Sequence, residues 1–137
     1  MDSSPGFVLD ASALLAHLRK EPGDVIVQAA MASGALMNVV NYSEVLSRLA
    51  DEGDDPEAAD SRLRLHGVIG GSVELVEVTE DDAIAMAQLR VATRAHGLSL
   101  GDRSCLATGL RLGRPVLTAD RSWATVQTGV TVSLIRP

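Results

Sequence analysis

The chain has 137 residues and a formal net charge of −6, and 46% of its residues are hydrophobic although only Phe7, Tyr42 and Trp123 are aromatic. That size fits one domain, residues 1–137, whose core must come from Leu, Val, Ile and Ala. A lone Cys105 excludes a disulfide or a cysteine-based metal site, and no apolar run nears the roughly 20 residues of a membrane span.

Phe7-Val8-Leu9 reads as a short buried strand that delivers Asp10 to a helix with Leu14, Leu15 and Leu18 on one side. Pro22-Gly23 ends that helix, and Asp24 can cap another running to Met31. Ser33-Gly34 breaks the chain before a second strand near residues 35–37, and a helix over about residues 42–51 carries Glu44. Residues 51–56 are the most polar stretch and read as a solvated loop, followed by a helix ending near His66-Gly67. Residues 73–78 read as a strand. Thr79 with Asp82 spells a capping box for a helix that runs to His96-Gly97. A further helix spans about residues 101–112, and residues 116–118 and 130–134 supply the last strands. Strands alternating with helices predict a mainly parallel sheet covered by helices on both faces.

Four acids stand at comparable junctions of that pattern: Asp10, Glu44, Asp102 and Asp120 each follow an apolar strand-like run or open a helix. In an open parallel sheet, ligands collect beyond the carboxyl ends of the strands. Carboxylates gathered there repel one another unless a hard cation joins them, and Mg²⁺ or Mn²⁺ is the expected occupant of an oxygen-only site. Each acid also has a purely structural reading. Asp10 can cap the helix at Ala11, Asn41 and Glu44 fit an Asn-x-x-Glu cap, Ser99 and Asp102 fit a capping box, and Asp120 can be a turn residue. Ser12 and Thr118 each lie two residues from an acid, where a hydroxyl can support the site or satisfy local backbone.

At these residues the chain resembles a known family. Val8-Leu9-Asp10-Ala11-Ser12-Ala13, Asn41-Tyr42-Ser43-Glu44-Val45, Leu98-Ser99-Leu100-Gly101-Asp102-Arg103 and Val116-Leu117-Thr118-Ala119-Asp120-Arg121-Ser122-Trp123 resemble the four signature segments of PIN-domain nucleases, most closely the VapC-type toxins of bacterial toxin–antitoxin pairs. The resemblance implies a three-layer α/β/α sandwich and an endoribonuclease dependent on Mg²⁺ or Mn²⁺. It also implies a homodimer restrained by a cognate VapB-like antitoxin in a heterotetramer or larger assembly. Asp10, Glu44, Asp102 and Asp120 would be the metal ligands, supported by Ser12 and Thr118. No fifth acid follows Asp120, where Ser122 and Thr125 stand, so one ion would be held firmly and a second only with the substrate phosphate.

Charge distribution accommodates an RNA substrate. Residues 1–96 hold sixteen acids and seven bases, whereas residues 97–137 hold two acids, Asp102 and Asp120, against five bases. Arg103 and Arg111, eight residues apart on one helix, share roughly one face, with Arg114 and Arg121 nearby. Some of this group, with Arg103, Arg111 and Arg121 the candidates, is expected to line the approach to the site and meet RNA phosphates. His17, His66 and His96 form no metal spacing, Cys105 is expected to be a buried inert thiol, and Trp123 is expected to pack. With no basic segment leading into an apolar one at the N-terminus, the expected location is the cytoplasm.

Three other classes compete. An aspartyl phosphatase needs a second Asp two residues after the first, where Ser12 stands. A receiver domain needs a Lys beyond a late strand, and the only Lys is Lys20. The stronger competitor is a PIN-like module that binds or dimerises without significant nuclease activity.

Overall fold

The computed structural model describes residues 6–137. Five short strands form its sheet: β1 (Val8–Leu9), β2 (Ala35–Asn38), β3 (Val73–Val76), β4 (Val116–Thr118) and β5 (Val132–Leu134). Their order is β3-β2-β1-β4-β5 and every pairing is parallel. Between and around them run α1 (Ala11–Leu18), α2 (Asp24–Ala32), α3 (Val39–Asp51), α4 (Pro56–Leu65), α5 (Glu80–Ala92) and α6 (Leu100–Leu112). Single 3₁₀ turns cover Arg94–His96 and Arg121–Thr125. The N-terminal reading of the sequence, with no basic leader, falls partly on residues 1–5, outside the described residues.

Side-chain alternation along the strands divides the core into two layers. Leu9, Met37 and Leu117 pack with Leu14, Val27 and Val45 under α1 to α4. Val8 and Val116 pack on the opposite side with Met86, Leu89 and Leu106 under α5 and α6. Helices thus cover both faces, giving the α/β/α sandwich. Among the described residues no helix is long and apolar enough to cross a membrane.

Several boundaries differ from the sequence reading, each for a local reason. Helix α3 starts at Val39 because Asn38, not Asn41, is its cap: the Asn38 side chain accepts a hydrogen bond from the Asn41 N–H at 2.7 Å. Glu44 therefore lies in the second turn. Helix α5 ends at Ala92, after which Thr93 turns its hydroxyl back onto the Leu89 carbonyl (2.6 Å) and a 3₁₀ turn follows. Strands β3 and β5 are shorter than expected, at Val73–Val76 and Val132–Leu134. Asp24 is the first residue of α2 and does not cap it; its carboxylate instead meets His17 Nδ1 at 2.6 Å. The cap position is Gly23 at φ 98°, where a Cβ would come within 2.7 Å of the Ile135 carbonyl oxygen. Only glycine suits both that φ and that close approach of the C-terminal segment.

The strand order places the site. The chain steps from β1 outward to β2 and β3, then returns to the other side of β1 to lay down β4 and β5. The crevice at such a reversal lies at the carboxyl ends of β1 and β4, and those ends carry Asp10 and Asp120.

Candidate active site

Asp10 leaves β1 in an extended conformation and caps α1, with Oδ1 accepting from the Ala13 N–H at 2.8 Å and the Ser12 hydroxyl at 2.7 Å. Its Oδ2 accepts from the Thr118 hydroxyl at 2.6 Å. Thr118 Oγ in turn accepts the Asp120 N–H, and Ser12 Oγ accepts the Ala119 N–H, both at 3.0 Å. The carboxylate thus ties the end of β1 to the end of β4. Only 5% of Asp10 is exposed, and burial lifts its carboxyl to about pH 6 against the pull of the Thr118, Ser12 and Ala13 hydrogen bonds; the Asp102 charge adds a smaller upward push. Capping and site chemistry coexist here, because hydrogen bonds that satisfy the backbone also fix the carboxylate.

The opposite wall is built by α3 and α6. Asn41, on the first turn of α3, donates from Nδ2 to Glu44 Oε1 at 2.8 Å and to the Gly101 carbonyl at 3.1 Å. Gly101 lies so close to Glu44 that a Cβ there would overlap the carboxylate, with Cδ at 2.7 Å and Oε2 at 2.8 Å. Absence of a side chain is therefore what admits Glu44 beside the N-terminus of α6. Deeper in the same seam, Asn38 donates to Ser104 Oγ and Thr108 Oγ, locking the start of α3 onto α6. Asp102 completes the predicted capping box with Ser99: its Oδ2 accepts the Ser99 N–H at 3.0 Å. Asp120 accepts both the Ser122 N–H and the Ser122 hydroxyl on Oδ1. Among the described residues Asp102 Oδ1, Glu44 Oε2 and Asp120 Oδ2 have no hydrogen-bond partner.

Asp10, Glu44, Asp102 and Asp120 all line one cleft of about 350 Å³, together with Ser12 and Asn41. Thr118, fully buried, braces Asp10 from behind. Arg19, Arg48 and Arg136 also line the cleft. The sequence reading missed them. Arg48 was legible in principle, because it lies four residues after Glu44 and so on the same face of α3.

Two of the arginines expected to meet RNA phosphates, Arg103 and Arg111, are committed elsewhere, and the expectation is corrected for them. Arg103 is buried at 9% exposure and donates to the Met86 carbonyl at 3.0 Å, so it ties α6 to α5. Arg111 pairs with Asp82 at 2.9 Å and donates to the Glu77 carbonyl. Burial alone would raise the Asp82 carboxyl, but Arg111 and the Thr79 cap outweigh it and hold it below its ordinary value. Both arginines face the α5 side of α6, away from the cleft. Arg121 is exposed beside Asp120 and lies outside the cleft lining, as does Arg114. Trp123 is buried in the core, and burial pushes the Cys105 thiol far up, with the nearby charges of Asp10, Asp102 and Glu44 adding to it. Both are packing residues.

The donor set suits a hard divalent cation in kind: all oxygen, several atoms uncommitted, and one carboxylate raised by burial. As placed, no three His, Cys, Asp or Glu side chains among the described residues stand close enough to form a closed metal cage. Mg²⁺ does not require one, since it is commonly held by one or two carboxylates and completes its octahedron with water and substrate phosphate. The cleft fits an open site of that type.

A family model for the PIN domain matches residues 7–128, which spans all four acids. The chain belongs to the PIN domain family. Its fold is shared with a DNA-bound VapBC from Salmonella typhimurium (TM-score 0.71, 15% identity, covering 96% of this chain and 99% of that one). It is shared too with FitAcB from Neisseria gonorrhoeae (TM-score 0.68, 21% identity, 92% and 95% covered). A toxin–antitoxin complex from Klebsiella pneumoniae gives a TM-score of 0.67 at 15% identity, with 94% and 97% covered. No curated protein matches the chain. At such identities these likenesses establish the PIN fold.

Proposed function

We propose that this PIN protein is a Mg²⁺- or Mn²⁺-dependent endoribonuclease toxin of the VapC type, cleaving RNA phosphodiester bonds in the cytoplasm and restrained by a cognate VapB-like antitoxin. The observation that carries this reading is the convergence of Asp10, Glu44, Asp102 and Asp120 on one cleft at the switch point of a PIN fold. Of the uncommitted oxygens of Glu44, Asp102 and Asp120 and the remaining lone pair of Asp10, one or two would hold the cation directly and the others through its waters. When bound, a divalent cation supplies Lewis-acid activation of water and neutralises charge on the phosphate.

The protein's own contribution is placement. Ser12 and Thr118 fix both oxygens of Asp10, so its carboxylate has one orientation. Asn41 holds one oxygen of Glu44 and leaves the other turned free, while the Ser99 backbone does the same for Asp102. Water attack in line with the leaving oxygen would yield a 5′-phosphate and a 3′-hydroxyl. The Klebsiella structure is a toxin–antitoxin complex, which supports an antitoxin partner here; a homodimeric toxin within a larger assembly belongs to the same VapC-type reading.

Chelator should abolish RNA cleavage and Mg²⁺ or Mn²⁺ should restore it. Cleavage that persists in chelator, or that leaves a 2′,3′-cyclic phosphate, would sink the mechanism. A binding or dimerisation module without activity would show no metal-restored cleavage at all.

A further inference from the structure

We infer, resting on the ribonuclease reading, that Arg48 and Arg136 form a phosphate-binding rim on the carboxylate cleft, with Arg19 beside them, and that it grips the RNA backbone next to the scissile bond. The three arginines come from separate parts of the chain: Arg19 follows α1, Arg48 sits on α3, and Arg136 lies beyond β5. They are the basic side chains of a cleft that also presents five carboxylates, the four acids and Glu21.

Their bonding sets them apart from ordinary counter-charges. Arg48 stands one helical turn from Glu44, the spacing at which an ion pair forms by default. It makes none: among the described residues no carboxylate pairs with Arg48, and Glu44 is held by Asn41 instead. Arg136 spends one nitrogen on the Pro22 carbonyl at 2.8 Å, and among the described residues it pairs with no acid and its other donors have no partner. Arg19 pairs with Glu52 on the exposed side, an ion pair of the kind that costs little to exchange. Uncommitted guanidinium forks beside a carboxylate pocket match a ligand with repeated anionic groups, one at the carboxylates and the next on the arginines. A single-stranded RNA backbone has that repeat. The contacts are to phosphate, so they confer affinity and register without sequence choice.

The test compares wild type with Arg48→Ala, Arg136→Ala and the double variant, in Mg²⁺, across a range of salt. Binding to a short labelled single-stranded RNA of mixed sequence is read by anisotropy, with cleavage followed in parallel. Each lost contact should weaken binding about tenfold and flatten the slope of log K against log salt by about 0.7. KM should rise with kcat little changed, and lysine at either position should keep most of the slope. Thermal melts of Arg48→Ala should stay close to wild type, because Arg48 is exposed, whereas Arg136→Ala also loses the Pro22 bond and should melt slightly lower. RNA affinity or slope unchanged in the double variant, while wild type still cleaves, would overturn the rim and leave the nuclease standing. Weaker binding with an unchanged slope would equally overturn it, since that marks a structural effect. Wild type that neither binds nor cleaves RNA would overturn the nuclease reading and the rim together.

Discussion

The two walls of the cleft are built on opposite terms. On the β1–β4 wall, Asp10 is buried and accepts three hydrogen bonds from Ser12, Ala13 and Thr118. On the α3–α6 wall and at the exit of β4, Glu44, Asp102 and Asp120 are more open, and each keeps an oxygen without a partner among the described residues. Asp10 is spent on fixing a charge in place, and Glu44, Asp102 and Asp120 on leaving charge available. A site that accepts a hydrated cation and then a phosphate needs both: an immobile anchor and ligands able to trade water for substrate.

The sharpest way to break this contrast is Asp10→Asn. Cleavage should fall by about a thousandfold, corresponding to several kcal/mol of lost charge stabilisation. Stability should move the other way. The folded protein binds the Asp10 proton more tightly than the unfolded chain, whose carboxyl titrates near 3.8, so wild-type stability declines as pH rises from there to about 6 and stays low above it. The neutral amide removes that decline, so in chelator Asp10→Asn should hold its stability between about pH 4 and 7 where wild type loses it, the gain at neutral pH being reduced because the amide nitrogen cannot accept the bond that Thr118 donates to Asp10 Oδ2. A variant that keeps full activity would return Asp10 to the role of a simple cap.

Two changes probe the open wall. Gly101→Ala drives a methyl into the Glu44 carboxylate, and both metal affinity and cleavage should drop by about tenfold to a hundredfold, with an overpacking cost of about 1–3 kcal/mol. Asn41→Ala frees Glu44 Oε1 and should weaken Mn²⁺ binding by roughly tenfold, read by calorimetry. The buried Asn41 Oδ1 has no partner among the described residues, so part of the stability lost with the amide is regained when that orphan acceptor goes. Metal affinity unchanged in both variants would mean that Glu44 is not held for the cation.

Much of this was legible in the sequence, and the misses share a cause. Asp10 and Asp102 were readable because local signals, a strand ending in Asp and a Ser-x-x-Asp box, set their positions within a few residues. The alternation of strands and helices likewise gave the layers and the parallel sheet. Arginine placement was not readable. Sharing a helix face says which residues lie together, but not whether that face meets solvent or another helix, and the face of Arg103 and Arg111 meets α5. Arg136 reaches the cleft through packing of the C-terminal segment against Pro22 and Gly23, a long-range contact with no local signature. The α3 boundary was missed because two asparagines three residues apart both suit a cap, and it is Asn38 whose side chain accepts the Asn41 N–H.

Arg103→Ala sharpens that correction with the smallest functional effect. Removing its bond to Met86 should cost about 2 kcal/mol of stability while leaving the salt slope of RNA binding unchanged. A flatter slope would place Arg103 back on the RNA.

The claim that the cleft is a cation site anchored by Asp10 is tested most directly by proton release on Mn²⁺ binding. Calorimetry in buffers of different ionisation heat counts the protons. Because Asp10 titrates at about 6 in the metal-free protein, binding near pH 6 should expel about half a proton, and binding near pH 8 almost none. Asp10→Asn should bind far more weakly and expel none at either pH. Mn²⁺ binding of equal strength in wild type and Asp10→Asn, with the same proton count at both pH values, would contradict the account.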